Sequence, residues 1–309
     1  MALPDGSQLF IGDGGLETVM IFEERLELPE FASFTLLRDE AGRAALRRYY
    51  EGFLAIAAEH GTGFTFDPPT WRASERWGEA LGYSPAEIAD LNREAVAFAR
   101  EVCERAAGQV PVSITGTIGP EGDGYSPDSF LSPAEAEDYH ATQVAVFAAE
   151  GVDMISAMTI TYAEEGVGIV RAAAAAGLPV SVSFTVETDG RLPSGEPLRE
   201  AVERLDAETG GAALYQMINC AHPTHFAAEL AGEDAWLDRI GGVRANASRR
   251  SHAELDEAEE LDAGDPEELG AEYAALEQRL PELRVVGGCC GTDQRHVASI
   301  CAQLAVGGR

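Results

Sequence analysis

Val285-Val286-Gly287-Gly288-Cys289-Cys290-Gly291-Thr292-Asp293 carries an apolar strand through two glycines, two adjacent cysteines and a third glycine into a helical pattern. Strand, tight turn, helix is the repeating unit of a parallel sheet with helical crossovers. Adjacent cysteines are poor partners for each other, because a disulfide across one trans peptide is strained. The flanking glycines instead permit a sharp turn, and such a turn aims both sulfurs at one ion.

The same order recurs along the chain. Leu9-Phe10-Ile11 is an apolar run that closes on Gly12-Asp13-Gly14-Gly15. Residues 39–60 place Leu46, Tyr50, Phe53, Leu54 and Ala57 at helical spacing, and Gly61 is the usual stop. Thr62-Gly63-Phe64-Thr65-Phe66 reads as a second strand. Ser84-Pro85-Ala86-Glu87 and Ser132-Pro133-Ala134-Glu135 are capping boxes with proline at the first helical position. They open helices to about Ala107 and to Glu150, with a third strand at 110–116 between them. Later strands are predicted at 152–158, 179–186, 212–219, 240–246 and 283–288. Helices near 164–176, 197–209, 225–231 and 265–280 separate them, and one at 292–305 closes the chain. The acidic segment 251–264, poor in apolar residues, reads as a solvated loop.

Eight such repeats without a break in composition predict one α/β domain over residues 1–309, a single (β/α)8 TIM barrel. An open, doubly wound sheet is the alternative. Its nucleotide-binding version finds no support, since no G-x-G-x-x-G follows the first strand.

Composition narrows the chemistry. The chain of 309 residues has 53 acidic and 22 basic side chains, for a formal charge of −31, and every basic one is arginine. That balance argues against nucleic acid or an anionic membrane as partner and suits a salty cytoplasm. Without lysine, neither a Schiff base nor a P-loop lysine is available. No apolar run is long enough to span a bilayer, and the start, Met-Ala-Leu-Pro-Asp-Gly, lacks the pattern of a secretory signal. Five cysteines, an odd number, then suggest a reduced, cytoplasmic protein.

In a barrel the functional residues sit at the carboxyl ends of the strands. Cys220 ends the sixth strand and Cys289-Cys290 end the eighth, so three thiolates 69 residues apart in sequence can converge. Three protein ligands leave one position of a tetrahedral metal open, as in catalytic zinc, and all-sulfur ligation points away from magnesium and calcium. Zinc with three thiolates is a feeble Lewis acid. It is well suited to keeping a fourth sulfur deprotonated yet nucleophilic, so the chemistry expected is attack by a substrate thiolate on an electrophilic carbon. Cys103 and Cys301, within predicted helices, read as packing residues. The six histidines form no ligand motif, although His222 and His225 follow Cys220 closely.

Asp13-Gly14-Gly15, Asn219-Cys220 and Gly287-Gly288-Cys289-Cys290-Gly291-Thr292 together resemble the zinc-dependent homocysteine S-methyltransferase family, similar to betaine– and S-methylmethionine–homocysteine methyltransferases. The resemblance spans essentially the whole chain. It implies zinc on Cys220, Cys289 and Cys290 and homocysteine bound through its thiolate. It further implies methyl transfer from a small onium donor, a sulfonium or a betaine, to give methionine. Asp13 would pair with the homocysteine ammonium, the amides of Gly14 and Gly15 would meet its carboxylate, and Thr115 to Pro120 would form a loop beside the substrate. One position departs from the family: Met158 stands where a glutamate usually helps hold the amino group. Either Glu164 or Glu165 replaces it, or the acceptor is a different thiol. A barrel that binds zinc and thiols without turnover is the non-enzymatic alternative. Neither the donor nor the oligomeric state is legible in the residues.

Overall fold

The computed structural model describes residues 2–106, 110–127, 129–232, 234–258 and 260–306. Eight parallel strands close into a barrel in sequence order: β1 (Phe10–Ile11), β2 (Gly63–Phe66), β3 (Val112–Ile118), β4 (Met154–Ile160), β5 (Val180–Phe184), β6 (Tyr215–Asn219), β7 (Ile240–Ala245) and β8 (Val285–Gly288). Closure is direct, with Phe10 opposite Val285 and Ile11 opposite Val286. This excludes the open-sheet alternative.

Both predicted capping boxes form. Ser84 and Ser132 each accept from the backbone N–H three residues on and receive the glutamate in return, opening the helices Pro85–Arg105 and Pro133–Glu150. Ala107, where the first of these is expected to end, lies outside the described residues. Asp39 caps Glu40–His60, which ends on Gly61 in the left-handed conformation. The helix faces pack on the outer faces of the strands in one continuous core. Phe10, Met154, Tyr215, Met217 and Val285, all strand residues, form a separate cluster.

Two expectations need correction, and one stretch without an assignment proves to be structured. β3 and β4 each run two residues further than predicted, so Thr115, Gly116, Thr117 and Ile118 belong to a strand rather than to a substrate loop. The region between β1 and β2 contains short helical segments at Leu16–Thr18, Val19–Glu23, Pro29–Phe31 and Ser33–Arg38. The acidic segment contains a helix, His252–Asp256, started by its own capping box at Ser251, and it reaches the barrel mouth. No helix among the described residues is long and apolar enough to cross a membrane.

Candidate metal centre and substrate pocket

The sulfurs of Cys220, Cys289 and Cys290 lie within 4.8 Å of one another at the carboxyl ends of β6 and β8. Cys220 Sγ is 3.1 Å from Cys289 Sγ and 3.5 Å from Cys290 Sγ. All three are free thiols. Local backbone explains the convergence. After β8, Thr292 N–H donates to Cys289 O at 3.1 Å, and Gly291 turns the chain with φ +79°. The turn packs against the end of β1, and the approach is so close that side chains there are excluded. A Cβ on Gly14 would stand 2.6 Å from Thr292 O, and one on Gly15 2.6 Å from Cys289 O.

Cys220 has φ +56°, a left-handed conformation uncommon in a residue with a side chain. Its neighbours hold it there. Cys220 N–H donates to Arg244 O at 3.0 Å, and its carbonyl accepts from Asn246 Nδ2 at 2.9 Å and from His252 Nε2. Strain of this kind is tolerated where surrounding contacts over-determine it. His252 also pairs with Glu187 at 2.9 Å. Burial works against its charge, but Glu187 and the Cys220 carbonyl outweigh burial and raise its pKa. His252, not the two histidines after Cys220, is therefore the imidazole beside the cysteines. His222 is engaged with Thr224 and faces Glu272, with burial lowering its pKa to about 4, while His225 meets Arg249 O.

Further side chains meet the sulfurs. Asn219 Nδ2 lies 3.9 Å from Cys289 Sγ and donates to Thr159 Oγ1 at 2.8 Å, while Asn219 Oδ1 accepts from Thr159 N–H at 2.9 Å. This pair ties the end of β6 to a bulge in β4, where Thr159 has φ +65°. Tyr125 Oη sits 3.0 Å from Cys220 Sγ. Hydrogen bonds from Cys220 and Cys290, and then the positive charge of Arg244, hold the Cys289 thiol well below its usual pKa. The Cys220 thiol is raised by its hydrogen bonds to Cys289 and Cys290 and by burial. Three convergent soft donors, one already favouring the thiolate, fit a thiophilic divalent metal. By contrast Cys103 and Cys301 lie on helices, and burial pushes each up to about 12.

A pocket opens over the sulfurs. Phe31, Trp71 and Tyr125 give it aromatic surfaces, Met158 an apolar one, and Asp13, Glu17, Asp67 and Arg244 line it with charge. Here the residues expected to contact substrate make bonds within the protein. Asp13 is paired with Arg244 of β7, whose guanidinium also meets Asp67 Oδ2 at 2.5 Å and Gly288 O at 3.1 Å. Gly14 N–H donates to Tyr49 Oη at 3.1 Å and Gly15 N–H to Thr292 O at 2.9 Å. The Asp-Gly-Gly turn thus engages one carboxylate oxygen and both amides inside the protein. Thr115 Oγ1 donates to Asp67 Oδ1 at 2.6 Å. Neither glutamate after β4 makes good the loss at Met158: Glu164 pairs with Arg204, and Glu165 is buried against His140.

The chain belongs to the homocysteine S-methyltransferase family, which it matches over residues 10–304. Membership makes it a methyltransferase whose acceptor is the homocysteine sulfur. Betaine–homocysteine S-methyltransferase 1 of Bos taurus is 25% identical over 321 residues, covering 97% of this chain and 73% of that protein, and the Rattus norvegicus protein of the same name matches equally. The homocysteine methyltransferase MmuM of Escherichia coli shares the fold. Its oxidized form gives a TM-score of 0.76 at 19% identity over 98% of each chain. Its metallated form gives 0.74 at 20% identity over 97% of each.

Proposed function

We propose that the protein transfers a methyl group from a small onium donor, S-methylmethionine, another sulfonium or a betaine, to homocysteine whose thiolate is held at a zinc ion on Cys220, Cys289 and Cys290. The observation that carries this reading is the convergence of three free sulfurs, two of which, Cys289 and Cys290, line a pocket. Zinc at these residues supplies a position where a substrate sulfur stays deprotonated at neutral pH.

The chain's own residues do the rest. Asn219 and the turn around Gly291 orient the sulfurs, and Arg244 places positive charge near Cys289. Phe31, Trp71 and Tyr125 line the pocket with aromatic rings, groups of the kind that attract an onium cation. In the transfer, a sulfur lone pair of the acceptor forms the new S–CH3 bond. The donor's bond from methyl to its positive heteroatom breaks, its electron pair stays on that heteroatom, and the donor leaves neutral there. With the acceptor bound as thiolate, its proton having passed to bulk water, the transfer itself would need no protein base. Reduced thiols persist in a reducing compartment, which supports a cytoplasmic setting for the enzyme.

The test is methionine formation from homocysteine with a panel of sulfonium and betaine donors. Chelator treatment should abolish turnover and zinc should restore it. Turnover that survives complete metal removal rejects the mechanism.

A further inference from the structure

Within the methyl-transfer reading, the partners expected for the acceptor's amino group are already engaged with the protein's own groups. Arg244 occupies Asp13 and Asp67, the Gly14 and Gly15 amides are bonded internally, and Met158 contributes no charge. One carboxylate of the pocket is differently placed. Glu17 stands on the helical turn Leu16–Thr18 directly after the Asp-Gly-Gly turn and lines the same pocket as Cys289 and Cys290. Ser33 Oγ donates to Glu17 Oε1 at 2.8 Å and fixes the side chain. No cation among the described residues makes an ion pair with it. Arg72, which acts on it from a distance, is engaged with Glu30 O at 2.6 Å and with Asp123 at 3.3 Å.

A carboxylate removed from bulk water and lacking a cation is costly unless a positive group completes it. The amino nitrogen of homocysteine is four bonds from its sulfur, so an acceptor anchored by sulfur at the cysteines keeps its ammonium within the pocket that Glu17 lines. We propose that Glu17 receives the ammonium of the acceptor and is the residue that selects an amino-acid thiol.

The experiment compares homocysteine with 4-sulfanylbutanoate, the same thiol without its amino group, by calorimetric titration of the zinc-loaded protein in the absence of donor. The native protein should bind homocysteine at least about tenfold more tightly, the scale of a charged hydrogen bond. Glu17→Gln, which keeps the Ser33 contact, should bind the two thiols within about twofold of each other while its affinity for 4-sulfanylbutanoate stays native. If Glu17→Gln fails to load metal, Glu17→Asp takes its place and should show a reduced preference of the same sign. A native protein that binds both thiols alike overturns the proposal, and so does a variant that keeps the full preference. Because binding is read without turnover, the outcome is separable from failure of the methyl-transfer reading, which would show as thiol binding with no product from any donor.

Discussion

Arg244 is the residue the sequence conceals most completely. Between Val243 and Ala245 it reads as an ordinary strand arginine facing solvent, yet it is buried and joins carboxylates from the ends of β1 and β2. No local pattern announces a partner 231 positions away. Replacing it with methionine should cost about 3–5 kcal/mol, since two buried carboxylates would be left without their cation. Urea unfolding of the metal-loaded variant measures this, and an unchanged midpoint would show that the pair is not formed. The cysteines are readable because two adjacent thiols among glycines have few other uses. Their supports are not. Asn219 is one of them, and Asn219→Ala should weaken metal binding by about 10–100-fold, the usual effect of removing a group that orients a ligand. Competition with a chromophoric chelator gives the number. His252 is hidden for a related reason: it lies in a segment whose acidity gives it the look of a solvated loop.

At the scale of elements, capping signals are more reliable than strand limits. Ser84 and Ser132 start their helices where the sequence places them, because a cap is a local hydrogen-bond problem with a local solution. Strands of a parallel barrel are buried on both faces, so they lack the alternation that would set their ends. Hence β3 and β4 read two residues early in sequence, and nothing local reveals the bulge at Thr159. Ser132→Ala should lower stability by about 1 kcal/mol with no effect on metal content. Calorimetry and metal analysis on one preparation would check both halves.

For the whole molecule, charge outweighs every other long-range influence. With −31 formal charges and arginine the only basic side chain, mutual repulsion acts over long distances at low ionic strength. The Debye length shrinks from about 30 Å at 0.01 M to about 3 Å at 1 M salt. The melting temperature of the zinc-saturated protein should therefore rise by several degrees between these limits. A fall would mean that the surface pairs, such as Arg43–Glu94 and Arg199–Asp234, outweigh the net charge.

The close approach of the Asp-Gly-Gly turn to the Cys289–Thr292 turn has a consequence for biosynthesis. The barrel seam joins β1 to β8, and two of the three sulfurs arrive only with β8. A nascent chain that has already exposed Cys220 holds one of the three converging thiols and no site. Metal capture at the three cysteines therefore waits for the last strand, the same strand that closes the ring on β1.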